Sequence, residues 1–209
     1  MTTQMSTLPA RNGKGIGKPA WDIAKLYPAQ GYWDEDEYLA LETNWRVEFD
    51  DGLIEVLPMP TTAHQLTVLF LYRMLFAFVS DRKLGTVLAA PLPVRTLKTK
   101  YREPDVIFLF AKHIARRGNQ FWQGADLVME VVSKGKKERQ RDLVLKRKEY
   151  AAAGIPEYWI IDPEKAQIVV LKLSKDKYVV AGQYGTGESA KSVLLRGFEV
   201  DVAAALAGE

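Results

Sequence analysis

The chain has 209 residues, 47% of them hydrophobic and 26% charged, a balance that supports a sizeable buried core. It has no cysteine, which excludes disulfides, thiolate zinc sites, iron–sulfur clusters and a cysteine nucleophile. A net charge of +3 permits a polyanionic partner without demanding one, so the placement of the cations must decide.

In chain order, residues 1–20 are rich in Thr, Gly, Lys and Pro and predict a flexible tail, with a single domain over residues 21–209. The tail lacks the apolar run of a secretory signal, and with the cysteine-free composition this points to a cytoplasmic home. Asp34-Glu35-Asp36-Glu37 opens a short helix that continues through Leu41, its acids placed at the positive end. Arg46–Phe49 and Leu53–Leu57 flank Asp50-Asp51-Gly52, the strongest short-range hairpin signal in the chain. A helix follows over 62–82, too apolar on most faces to lie on the surface. Its longest apolar stretch, the 14 residues Leu66–Val79, falls short of the roughly 20 needed to span a bilayer, so no membrane partner is expected. Strands are predicted at 86–95, 105–110 and 127–132. A helix is predicted over 139–153, stopped by Gly154-Ile155-Pro156, then strands at 157–161, 167–173 and 177–183. This order suggests a mixed sheet covered by helices.

Two carboxylates stand where apolar residues are expected. Asp105 heads the run Val106–Phe110, and Glu130 interrupts Leu127–Val132, sharing its strand face with Val128 and Val132. An uncompensated buried carboxylate costs several kcal/mol or becomes protonated, so two of them suggest a shared cation. Two carboxylates, a backbone carbonyl and waters make a hard-oxygen site suited to Mg²⁺ or Mn²⁺. The competing reading has Asp105 capping a turn and Glu130 paired with a nearby Arg or Lys. Lys146 shares a helix face with Asp142 and Tyr150, either as a surface ion pair with Asp142 or as the cation of the site. From Ser133 to Lys148 there are 8 Lys or Arg against 2 acids, and Arg95, Lys98, Lys100 and Arg102 precede Asp105. Two basic runs flanking two carboxylates fit a phosphate-backbone track, although either alone would be a solvated face. His64 and His113 are the only histidines, too few for a His-rich metal site. Glu48 on the first hairpin strand could complete a carboxylate cluster, and a cross-strand pair explains it as well.

The order Pro104-Asp105, Glu130-Val131-Val132 and then a helical lysine resembles the PD-(D/E)xK nuclease superfamily. The closer resemblance is to the Uma-type restriction-endonuclease family. It is carried by the hairpin Val47–Glu55, by Pro60–Gln65, by Arg102-Glu103-Pro104-Asp105 and above all by Glu130–Ser133 with Arg141–Pro163. The resemblance implies an α/β, restriction-endonuclease-like mixed sheet flanked by helices, with an N-terminal helix and β-hairpin added. It implies an Mg²⁺- or Mn²⁺-dependent endonuclease that hydrolyses phosphodiester bonds in DNA. Asp105 and Glu130 would be metal ligands, joined by the Val131 carbonyl, and Lys146 the catalytic lysine. Glu48 and His64 match accessory positions. The basic residues Arg102, Lys134, Lys136, Lys137, Arg139 and Arg141 are the expected DNA contacts. The alternative is a catalytically inactive module that binds nucleic acid or a partner on the same fold. The superfamily's usual lysine position is Val132 here, so the lysine is relocated to the next helix, and Lys134 stands where the family's proline is expected. Duplex cutting would favour a homodimer. Glu130→Ala should lose metal-dependent cleavage while folding at least as well as the parent, because it removes an unpaired carboxylate.

Overall fold

The computed structural model describes residues 26–43 and 45–209, so the tail expected over residues 1–20 lies outside the described residues. Helix α1 (Glu35–Leu39) starts at a capping box, in which Asp34 accepts from the Glu37 N–H and Glu37 reaches back to the Asp34 N–H. Strands β1 (Val47–Asp50) and β2 (Leu53–Val56) form the expected hairpin. Asp51 (φ 49°) and Gly52 (φ 85°) turn the chain with both central residues left-handed. A side chain at Gly52 would also meet the Gly31 carbonyl oxygen at 2.8 Å. Helix α2 (Thr62–Asp81) is capped by the Thr61 hydroxyl.

The strand expected over 86–95 is two strands, β3 (Gly85–Ala89) and β4 (Val94–Leu97), which belong to different sheets. Pro91 and Pro93 lack the N–H that a continuous strand would need there. After β5 (Lys100–Arg102), β6 (Val106–Phe110), β7 (Trp122–Gln123) and β8 (Leu127–Val131) comes one long helical crossover. It begins earlier than expected and is not uniform: α3 (Lys136–Gln140), a π-helical segment (Arg141–Leu145) and α4 (Lys146–Ala152). The chain then forms β9 (Glu157–Asp162), β10 (Gln167–Ser174), β11 (Lys177–Gly185), β12 (Ser189–Lys191), β13 (Glu199–Asp201) and α5 (Val202–Ala207).

The central sheet has six strands in the order β11-β10-β9-β8-β6-β3 and is mixed. Only β8 and β9 pair in parallel within it, which is the connection that requires the helical crossover. A second sheet, β2-β1-β5-β4-β7, carries the hairpin, and β12 pairs with β13. Alternation along β8 divides the core. Leu127, Met129 and Val131 pack with Leu71 and Leu75 of α2 and Ala205 of α5, whereas Val128 and Val132 pack with Tyr150 of α4, Tyr158 and Val94. The sheet is thus covered by α2 and α5 on one face and by α4 and the second sheet on the other.

Helix α2 departs from expectation on one point. Six of its 20 residues are buried, while Leu66, Leu69, Met74 and Phe76 are exposed, so one face packs on the sheet and another faces out. Its near-continuous apolar composition conceals which stripe is the inner one.

Candidate active site

The antiparallel register between β6 and β8 places Val106 opposite Met129. One step further it places Asp105 opposite Glu130, on the same face of the sheet. Like charges directly opposite one another are destabilising, so this pair requires compensation. Both carboxylates are buried and both line a cavity of about 20 Å³, room for roughly one water-sized sphere. Two steps beyond Val106, the residue opposite Val131 is Pro104, which has no N–H to offer. The Val131 N–H instead donates to Asp105 Oδ2 at 2.9 Å, and the Val131 carbonyl is left without a ladder donor on that side.

Four side chains compensate the two acids. Arg46, just ahead of β1, donates from Nη1 to Asp105 Oδ1 at 3.2 Å and from Nε to Glu103 Oε2 at 3.3 Å. His64, in the first turn of α2, sits with Nε2 3.3 Å from Asp105 Oδ2. Lys146 Nζ donates to Glu130 Oε1 at 2.9 Å, and the Tyr150 hydroxyl donates to the same oxygen at 2.7 Å. Glu130 Oε2 has no hydrogen-bond partner among the described residues. His64 Nδ1 and Glu48 Oε2 are buried without one.

The π-helical segment explains how one helix brings Lys146 here. The Lys146 N–H bonds the Arg141 carbonyl five residues back, so Arg141 and Lys146 lie on one side, and both line the cavity together with Asp142. Lys146 is 2% exposed, with Glu48 Oε1 at 2.9 Å and Asp142 Oδ1 at 3.8 Å in addition to Glu130. The Asp142–Lys146 pair therefore exists, in the interior and not on the surface.

Three carboxylates around one ammonium set the protonation pattern. Burial disfavours the charged form of Lys146, but Glu130, Glu48 and Asp142 together outweigh it and raise its pKa, so it remains an ammonium. Burial raises the pKa of Glu130; Lys146 opposes this, and the charges of Asp105, Asp142 and Glu48 reinforce it. Asp105 goes the other way. Burial is overcome by the contacts from His64, Arg46 and the Val131 N–H, which hold its pKa low. For His64 burial is again the largest influence and is downward, yet the Asp105 carboxylate raises the imidazole pKa overall.

The structure thus brings Asp105, Glu130, Val131, Lys146, His64 and Glu48 together. It does not do the same for the expected DNA contacts. Arg102 is buried, with Nη2 2.6 Å from both Asp50 Oδ2 and Glu149 Oε2, and it clamps β1 to α4. With Glu48 at 3.6 Å as a third acid, the guanidinium stands in an interior ion-pair network and not among the exposed cations. Arg141 is held by Asp142 and Glu55, and Arg139 by Asp162 and Glu164. Lys134, Lys136 and Lys137 are exposed. Lys137 is 2.9 Å from Glu55, and the other two have no ion-pair partner among the described residues. Arg46, Tyr150 and Asp142 were not singled out as site residues by sequence. Only Asp142 and Tyr150 carried a signal, their helical spacing from Lys146.

Among the described residues no three His, Cys, Asp or Glu side chains form a metal cluster. The donors that could serve a divalent ion are the two facing carboxylates, one with an unpartnered oxygen, and the Val131 carbonyl. This small, all-oxygen set fits Mg²⁺ or Mn²⁺, which keep several waters and need few protein ligands.

Comparison with known proteins bears on the family and the fold. The model of the Uma2 family, described as "Putative restriction endonuclease", matches residues 35–203. A crystal structure described as "a putative nuclease belonging to DUF820", from Anabaena variabilis, superposes with a TM-score of 0.62. It is 17% identical, and the match covers 83% of this chain and 97% of that one, a likeness of fold. No functionally curated protein matches the chain.

Proposed function

This chain belongs to the Uma2 family and has a restriction-endonuclease-like α/β fold, and from that premise we propose that it is a metal-dependent endonuclease hydrolysing phosphodiester bonds in DNA. The observation that carries the reading is the cross-strand pair of Asp105 and Glu130 on one cavity, with an ammonium at 2.9 Å from Glu130. Asp105, Glu130 and the Val131 carbonyl would hold Mg²⁺ or Mn²⁺. When bound, such an ion polarises a phosphoryl oxygen and lowers the pKa of its water. Lys146, charged throughout, acts as a donor that orients the attacking water and meets charge developing on the phosphate. His64 and Arg46 fix the orientation of the Asp105 carboxylate. The exposed Lys134, Lys136 and Lys137, adjoining the cavity residue Ser133, supply phosphate contacts.

The test is cleavage of supercoiled plasmid and of single- and double-stranded oligonucleotides with Mg²⁺, with Mn²⁺ and with EDTA. Cleavage should require the metal, and Asp105→Ala should lower it by about two orders of magnitude or more. Equal cleavage in EDTA, or an unimpaired Asp105→Ala protein, would refute the proposal. One observation favours a second reading, a non-cleaving DNA-binding module: both Asp105 oxygens already have partners in Arg46, His64 and Val131. That module would bind DNA with steep salt dependence and cut none of these substrates.

A further inference from the structure

A larger cavity, about 470 Å³, has one wall residue in common with the carboxylate cavity. Arg46 lines both. One Nη holds Asp105, while Nε and the other Nη hold the Glu103 side chain and carbonyl. Glu103 in turn forms part of the larger cavity's wall. The rest of the lining combines flat apolar surface with hydrogen-bonding edges. Trp45 is 56% exposed, Leu41 and Pro93 add apolar area, and Gln120 presents an amide with no partner among the described residues. Glu103 keeps acceptor capacity beyond its contacts with Arg46 and the Val47 N–H.

We propose that this cavity receives an unpaired nucleobase of the DNA strand being cut, stacked on Trp45 and read along its edge by Gln120 and Glu103. The inference rests on the nuclease reading and extends it to the class of substrate. Four features argue for a base as occupant. The volume lies within the range of about 300–1,000 Å³ typical of small-molecule sites. An exposed indole is a stacking platform for any base. An amide and a carboxylate offer both donor and acceptor to a base edge. Arg46 is common to both cavities, so a base in the larger one and a phosphate at Asp105 and Glu130 would meet opposite sides of the same guanidinium. A base can enter only when unstacked, so the favoured substrates are single strands, flaps, bulges and mismatched duplexes, and perfect duplex would first have to extrude a nucleotide.

The test separates binding from cleavage. Affinity for a fluorescein-labelled single-stranded 12-mer would be measured in EDTA with the full chain, alongside a 12-mer of the same length with abasic sites throughout. Trp45→Ala should weaken binding of the base-bearing strand by about 5- to 150-fold, the stacking contribution of one base. Trp45→Phe should recover most of that loss, and the abasic strand should bind wild type and Trp45→Ala alike. Unchanged affinity of Trp45→Ala for the base-bearing strand, or an equal loss on the abasic strand, would overturn the proposal. The two readings fail separately. A wild type that cleaves DNA while Trp45→Ala binds normally sinks the base site and leaves the nuclease reading standing. A wild type that cleaves nothing yet shows Trp45-dependent, base-dependent binding sinks the nuclease reading and upholds the base site.

Discussion

Two buried glutamates on neighbouring strands are treated in opposite ways. Glu157 opens β9 and is wholly buried on the α2 side of the sheet. It accepts four neutral donors at 2.6–2.8 Å: Trp159 Nε1, Ser192 Oγ, and the N–H groups of Val193 and Leu194. Glu130 lies on the opposite face of the same sheet, beside a cavity, with one oxygen held by Lys146 and Tyr150 and the other unpartnered. Neutral donors on both oxygens lock a loop in place and leave no capacity for anything else. A charged donor on one oxygen keeps the carboxylate tolerable inside while its second oxygen stays available. Burial alone therefore does not distinguish these two acids; the incomplete set of partners at Glu130 does.

The sharpest way to break this contrast is to remove the ammonium. Lys146→Ala strands Glu130 and Glu48 without their shared cation, and removing one partner of a buried ion pair costs about 3–5 kcal/mol. Urea unfolding should show that loss, and plasmid cleavage below the transition should fall by about 10²- to 10⁴-fold. Glu157→Ala should cost stability without chemistry. Leaving its donors unmet should take about 3 kcal/mol from the same unfolding curve, while cleavage per folded molecule stays within about twofold. Activity lost in parallel with Lys146→Ala would mean that the two glutamates do not divide as described.

Glu130→Gln sharpens the contrast through pH. The sequence-based expectation that Glu130→Ala would fold at least as well assumed an unpaired carboxylate, and Glu130 is paired, so Ala would leave Tyr150 and Lys146 short of an acceptor. Gln keeps the shape. Because burial and the neighbouring acids raise the folded-state pKa of Glu130 to about 7, its protonation is more favourable in the native protein than in the unfolded chain. Its contribution is complete below the unfolded value of about 4.5 and is lost as pH rises through the folded pKa. Glu130→Gln should therefore gain on the wild type between pH 4.5 and neutrality, compared by urea midpoints, while cleavage disappears at every pH. A gap in midpoint that stays constant over that window would show that Glu130 titrates normally. The smallest effect belongs to the surface. Replacing Lys134 and Lys136 by Ala should leave stability within about 0.5 kcal/mol and lower the salt slope of DNA binding by about one per lysine.

What could be read from sequence followed from contrast with local pattern. Asp105 and Glu130 were legible because a carboxylate in an apolar strand breaks a period-two rule, and the hairpin because Asp-Gly has few alternatives. Lys146 needed the family resemblance, since an Asp–Lys pair on a helix has an ordinary surface explanation. Arg46 gave no signal at all: its partners Glu103 and Asp105 are 57 and 59 residues away, and it stands at the ordinary polar start of a strand. Arg102 gave as little sign of its interior setting, because Glu48, Asp50 and Glu149 surround it only after folding. The second sheet stayed hidden where its strands were shortest, at Lys100–Arg102 and Trp122–Gln123, too brief to show alternation.

The wide turn at Arg141–Leu145 has a consequence for how this chain can vary. It works as a spacer that decouples the angular setting of Lys136–Gln140 from that of Lys146–Ala152. Point changes at its outward positions Val144 and Leu145 leave that setting intact. Closing this turn to ordinary pitch with no residue lost would swing everything downstream by about 100°, carrying the ammonium away from its acids, whereas loss of one residue together with that closure would keep Lys146 on the side of Arg141. The segment is therefore the one stretch of this crossover where the helix can shorten by a residue without moving its lysine.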